Sequence, residues 1–128
     1  MRTVQKSCSR GLARAKSLHP LMPASTLELV AARFRSLGDA SRLRLLNLLM
    51  QGERSVQALV EESGLSQTNV SRHLGLLRRD GIVGRVRDGN RAVYRIADPD
   101  IERLCEIVCG SLSDHLSNHL EGLHRRHR

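Results

Sequence analysis

Between Val56 and Ile96 the spacing of apolar residues changes its period once. In "VQALVEESGLSQTNVSRHLGLLRRDG" they recur three or four apart, as on a helix with one buried face; in "IVGRVRDGNRAVYRI" they alternate, as on a strand. The helical part is itself cut at Ser63-Gly64, because glycine reaches the left-handed conformation that ends a helix. Ser55 and Ser66 stand where the two resulting helices need side-chain acceptors for their first free N–H groups. Such punctuation leaves a short helix, a turn, a second helix and a hairpin turning at Asp88-Gly89-Asn90. Val70, Leu74 and Leu77 form the inward stripe of the second helix, and Asp80-Gly81 stops it.

The flanks extend the pattern. Ser25, with Glu28 three residues on, makes a capping box that opens a helix. Its apolar positions are Leu27, Val30, Ala31, Phe34 and Leu37, and Gly38 ends it. "DASRLRLLNLLMQG" predicts a second helix with Leu43, Leu46 and Met50 on one face and Leu45, Leu48 and Leu49 widening it, buried on most sides. After the hairpin, Asp98 caps a long last helix with Pro99 at its first position, and Ile101, Leu104, Cys105, Val108 and Leu112 make its stripe. With one Phe, one Tyr and no Trp in 128 residues, the core must be aliphatic, which favours packed helices. The expected fold is mostly α with a small β-hairpin, in the order ααααββα. Residues 1–23 read as a disordered basic arm, 24–120 as the folded domain and 121–128, ending in "HRRHR", as a frayed basic tail.

The net charge of +8 is unevenly placed. Residues 66–95 hold seven Arg against Asp80 and Asp88, and no acid lies between Ser66 and Arg79, whereas residues 96–123 hold one Arg against six acids. A basic segment centred on one helix and its hairpin suits a polyanion such as nucleic acid. No apolar run approaches the roughly 20 residues that span a bilayer, and no signal-like apolar region opens the chain, so a soluble, cytoplasmic protein without membrane partners is expected. Three cysteines, Cys8, Cys105 and Cys109, give no disulfide framework. No nucleophile–base pair, phosphate-cradling glycine loop or dense ligand cluster points to an enzyme.

At 100° per residue, Gln67, Thr68, Ser71, Arg72 and Arg78 fall opposite the apolar stripe, around Gly75. Short polar groups and arginines near a helix N-terminus suit the major groove, where Gln, Asn and Arg have bidentate geometries for adenine and guanine. Ser66 and Asn69 join them as candidate contacts. His73 lies at the stripe's edge, as fitting for a satisfied, partly buried ring as for a phosphate contact. Arg85, Arg87 and Arg91 on the hairpin suit a wing that touches phosphates or the minor groove, or a charged edge that discourages strand pairing.

"FRSLGDASRLRLLNLL", "GLSQTNVSRHLGLLRRDGIV" and "RDGNRAVYRI" resemble, in this order and spacing, the ArsR/SmtB family of winged helix-turn-helix transcriptional repressors, over about residues 25–112. The resemblance implies a homodimer paired through its first and last helices, bound to a near-palindromic DNA operator and released by an inducer. It places Gln67, Thr68, Ser71 and Arg72 at the family's recognition positions and Arg87, Asn90 and Arg91 at the wing tip. Because all of it lies after Met22, that residue is a second candidate start.

The inducer is less constrained. Many family members sense metal through a Cys-x-Cys before the helix-turn-helix; here "ERSVQAL" puts Ser55 and Gln57 in those places. Others bind zinc, cobalt or nickel on the last helix, where Asp98, Asp100, Ser111 and Asp114 align and the imidazoles are missing. His115, His119 and His124 lie nearby as an alternative set, or as part of a polar helix end. Cys105 and Cys109, four apart in "LCEIVCG", share one side of the last helix, where they suit a soft metal or metalloid ion, a thiol switch, or plain packing. Cys8 is a candidate third thiol. The thiol partner that redox sensors of this family carry in the second helix is replaced by Asn47. The expected function is an autoregulated repressor released by a metal, a metalloid or a thiol-reactive agent. The alternatives are a repressor with no small inducer and a winged-helix module for protein or RNA.

Overall fold

The computed structural model describes residues 21–126; the arm before residue 21, with Cys8, and the last two residues lie outside them. The chain forms α1 (Ala24–Leu37), α2 (Ala40–Met50), β1 (Arg54–Ser55), α3 (Val56–Ser63), α4 (Gln67–Arg79), β2 (Val83–Asp88), β3 (Arg91–Ile96) and α5 (Pro99–Arg126). The described residues fall into two compact units that divide between Phe34 and Arg35.

The described part of the first unit is most of α1. This helix starts one residue before Ser25, because the Pro23 carbonyl already accepts the Leu27 N–H at 3.0 Å. Ser25 therefore sits inside the first turn and does not cap it, contrary to the capping-box expectation. Leu27, Leu29 and Phe34 are exposed.

In the second unit the last turn of α1 buries Ser36 and Leu37, and Asp39 caps α2 by accepting the Arg42 N–H at 3.0 Å. The buried side of α2 is Leu45, Leu46 and Leu49, while Leu43 is 42% exposed. The inward face is thus rotated from the expected Leu43/Leu46/Met50 line, since the core contacts available to α2 come from α3, α4 and β3. α3 and α4 start as expected. Ser55 Oγ accepts from the Ala58 N–H and Ser66 Oγ from the Asn69 N–H, each at 3.1 Å. Each cap is worth about 1 kcal/mol. The turn between them needs its glycine, for Gly64 sits at φ 77°.

The sheet has three strands in the order β1-β3-β2, all antiparallel. β1 went unforeseen because two residues, Arg54 and Ser55 opposite Tyr94 and Val93, are too few for an alternating pattern. The hairpin turn is tighter than expected: Asp88 pairs with Arg91, leaving only Gly89-Asn90 as the loop, with Gly89 at φ 66°. Register places Val83, Arg85 and Arg87 on one face with Ile96, Tyr94 and Ala92, and Val86 and Asp88 on the other with Val93 and Arg91. The first face enters the core at Val83 and Tyr94.

Leu45, Leu46, Leu59, Val70, Leu74, Leu77 and Ile82 have no solvent exposure. At roughly 1.5–3 kcal/mol for each large side chain, they hold α2, α3, α4 and the root of the hairpin as one body. α5 opens with the Asp98 carboxylate accepting the Asp100 N–H at 3.0 Å, and Ile101 anchors it in the core. It continues to Arg126, well past the expected boundary at residue 120. No proline follows Pro99, and Gly110 and Gly122 each weaken a helix by only about 1 kcal/mol without stopping it. Among the described residues no helix is long and apolar enough to cross a membrane.

Candidate nucleic-acid interface

α4 is amphipathic in the simplest way: Val70, Leu74 and Leu77 are sealed in the core, and the opposite face carries Gln67, Thr68, Ser71, Arg72 and Arg78, all exposed. In the middle of that face Gly75 is exposed, and a Cβ built on it would meet nothing within 4 Å. The bare backbone lets a flat surface approach the helix axis more closely than any side chain would allow. Ser66 spends its hydroxyl on the helix cap, and the half-exposed Asn69 accepts from the Arg72 guanidinium at 3.0 Å. That bond holds an otherwise flexible arginine along the helix, reducing the rotamer freedom lost when it binds a partner.

His73 points the other way. It is 5% exposed, and its Nδ1 lies 3.3 Å from the Arg42 guanidinium, the partly buried, satisfied placement of the two expected. The reason is geometric: position 73 falls next to Val70 and Leu74 on the helix wheel, and Arg42 supplies its polar partner. Arg42 donates from Nε to the Ser36 carbonyl at 2.6 Å and from a terminal nitrogen to the Arg35 carbonyl at 3.1 Å, and lies 3.9 Å from the Asp39 carboxylate. Donation to Nδ1 requires a neutral ring with its proton on Nε2. Burial lowers the His73 pKa and so favours that state; Asp39 opposes the shift, and Arg72 and Arg42 reinforce it. Ser36 Oγ also donates to the carboxylate of Asp80, the residue that closes α4. The outward face of α4 is thus held from behind at His73 and at its C-terminal end by α2 and the last turn of α1. Sequence reading missed Arg42 because it sits in a run of leucines on a helix expected to be buried nearly all round.

The hairpin brings Arg85, Arg87, Asn90, Arg91 and Arg95 to the surface, Arg85 and Arg87 on one face and Arg91 and Arg95 on the other. Between α3, the first residue of α4 and β3 runs a groove of about 480 Å³, lined by Ser55, Gln57, Glu61, Gln67 and Arg91 among others. Ser55 and Gln57 therefore line the same cleft as the first residue of α4. Having no thiols, they do not fit a soft-metal site.

The last-helix candidates do not converge within one chain. Asp98 caps the helix, and Asp100 lies 3.4 Å from the Arg103 guanidinium. Asp114 lies fourteen positions beyond Asp100, about 21 Å along the axis, with His115 and His119 further still and exposed. Among the described residues no group of three or more His, Cys, Asp or Glu side chains comes together to hold a metal. Cys105 is half-buried and Cys109 exposed, both free, beside α2.

Residues 39–84 match the pattern of the bacterial regulatory protein, arsR family. Over 92 residues the chain is 41% identical to the HTH-type transcriptional regulator Rv0081 of Mycobacterium tuberculosis, covering 71% of this chain and 81% of that one. The chain belongs to the ArsR family. Its fold agrees with the crystal structure of Rv0081, with a TM-score of 0.69 at 39% identity over 78% of this chain and 99% of that one. It agrees equally with the solution structure of the homodimeric winged helix-turn-helix DNA-binding domain of Mycobacterium bovis Mb0332, with a TM-score of 0.68 at 39% identity, 73% of this chain and 86% of that one. A probable mercury resistance operon repressor of Streptomyces lividans is 39% identical over 83 residues, 65% of this chain and 66% of its own. This ArsR-family protein is a DNA-binding transcriptional regulator with a winged helix-turn-helix fold, not an enzyme.

Proposed function

We propose that this ArsR-family protein is a homodimeric, autoregulated repressor that reads a near-palindromic operator and leaves it when a soft metal, a metalloid or a thiol-reactive agent binds. The observation that carries the reading is the outward face of α4. It is exposed, free of acids, indented at Gly75 and flanked by the arginine-bearing hairpin. In this reading Gln67, Thr68, Ser71 and Arg72 choose the sequence, while Arg78, Arg85, Arg87, Asn90 and Arg91 contact the backbone or minor groove. Dimerisation is supported by Leu27, Leu29 and Phe34 of α1 and by Ile107, Val108, Leu112, Leu116 and Leu120 of α5, large apolar side chains that the single chain leaves exposed. The homodimeric Mb0332 domain and the mercury-operon repressor of Streptomyces lividans are similar chains consistent with a repressing dimer.

Fluorescence anisotropy with the protein's own upstream DNA against a scrambled duplex of equal length and charge tests the reading. Preference for the upstream duplex by a factor of about 1,000 or more is expected for a specific regulator. Equal affinity for the two would reject it in favour of a module that does not read duplex sequence.

A further inference from the structure

Behind α4 the Arg42 guanidinium of α2 has little freedom to move. Its Nε donates to the Ser36 carbonyl at 2.6 Å and a terminal nitrogen to the Arg35 carbonyl at 3.1 Å. The Asp39 carboxylate lies 3.9 Å away, and the Arg42 side chain is 14% exposed. A guanidinium keeps its charge across the ordinary pH range and has no acceptor to offer. Its contact with His73, 3.3 Å to Nδ1, therefore holds only while Nδ1 keeps its lone pair. A proton from water on that nitrogen sets two N–H groups and two positive charges against each other, where little water is present to screen them.

Arg42 is tied to its own neighbourhood, residues 35–39, so the ring is the partner that has to give. The ring is part of α4. Residue 72, next to it in the chain, stands on the outward face with its guanidinium bonded to Asn69. Displacing His73 thus shifts the face that carries Arg72. Of the charged groups that face the ring, Arg42 from α2 and Arg72 from α4 itself oppose the extra proton, and Asp39 at the start of α2 favours it. Burial opposes it most strongly, so the ring is neutral at neutral pH and takes up its proton only in acid.

We infer that Arg42 is a positioning residue for the outward face of α4, acting through His73, and that acid, by breaking their contact, releases the operator. The inference rests on the reading of the chain as an operator-binding repressor and adds the proton as a signal of its own, separate from any thiol chemistry on α5. The sign sets it apart from ordinary electrostatics. Acid adds positive charge to exposed histidines such as His115 and His119, which by itself strengthens attraction to DNA. The Arg42–His73 contact acts in the opposite direction. If only the neutral ring supports binding, apparent affinity follows the fraction of chains that are neutral at His73.

Fluorescence anisotropy of the full chain on its upstream duplex and on a scrambled one, at constant salt from about pH 8 to about pH 5, tests this. Circular dichroism marks the range in which the chain stays folded. Within that range, affinity for the upstream duplex should fall on acidification, approaching about tenfold per pH unit for each bound chain. His73→Asn, which sets an amide oxygen near the place of Nδ1 and takes up no proton, should bind comparably near neutral pH and hold that affinity in acid. Arg42→Met should bind the upstream duplex on the order of tenfold more weakly near neutral pH, and its acid fall should flatten because the repelling charge is gone. An arginine that only stabilised the fold would leave the native pH profile in place. Affinity that rises or stays level in acid until the fold is lost would overturn the inference, and so would an acid fall in His73→Asn as steep as the native one. Failure to prefer the upstream duplex even near neutral pH would reject the repressor reading, and the inference with it.

Discussion

α4 and α5 are both amphipathic helices, and the two finish their apolar faces in different ways. On α4 the stripe Val70, Leu74 and Leu77 is wholly buried within one chain. Among the described side chains of α5 only Ile101 is buried, and from there outward Val108 is 48%, Leu112 56%, Leu116 57% and Leu120 64% exposed. A recognition helix has to be rigid before it meets DNA, because each side chain ordered at binding costs affinity. α4 is accordingly packed by α2, α3 and β2 and tied at His73 and Asp80. α5 leaves the core after its first turns and carries an apolar face that the described residues do not cover. Among the described residues the apolar stripe of α4 is covered, and the one along α5 is not.

The largest effect expected from this contrast is on stability. Leu74→Ala opens a cavity in a sealed core and should cost about 2–5 kcal/mol in chemical denaturation. A loss below about 1 kcal/mol would mean that α4 is far less tightly held than its burial implies. On the DNA side, Arg72→Ala should weaken specific binding by about 1–3 kcal/mol while leaving the melting temperature unchanged. If affinity for upstream and scrambled duplexes fell equally, Arg72 would be a phosphate contact and the Asn69–Arg72 pair would not serve sequence choice.

Acid should loosen the attachment of α4. The His73 pKa is lowered in the fold from its ordinary 6.5, so between the folded and unfolded values the unfolded chain holds the extra proton. The stability from the buried neutral ring is therefore full above about pH 6.5 and falls as pH drops below it. Denaturant midpoints across this range should fall more steeply for the native chain than for His73→Gln. Parallel curves would remove His73 from the account. A smaller loss, about 1 kcal/mol, is expected from Ser66→Ala through the cap of α4.

The smallest effect should come from α5. Leu116→Ala should change the stability of the dilute, dissociated chain by no more than about 0.5 kcal/mol while raising the dimer dissociation constant measured by sedimentation. Equal loss in both measurements would show that α5 packs within its own chain.

Much of this was legible in advance because it is local. Ser55 and Ser66 cap the helices, Gly64 turns between them and Gly89 turns the hairpin, each for a reason confined to a few neighbouring residues. The outward residues of α4 followed from its 3.6-residue period alone. Ser25 failed as a cap because Pro23, two residues earlier, already supplied the first carbonyl acceptor.

The sequence by itself determined the order of elements, the polarity of the outward face of α4 and the excess of positive charge over residues 66–95. Spacing, capping and composition are properties of the chain read in one dimension. Only the tertiary structure decided that Leu43 turns out of the core, that Arg42 and His73 meet across 31 positions, and that two residues before α3 become a third strand. It also decided that Cys105 and Cys109 face a cavity against α2. These depend on which helix lies beside which, and periodicity is silent there: a helical period says that a face will be buried, and only packing says against what.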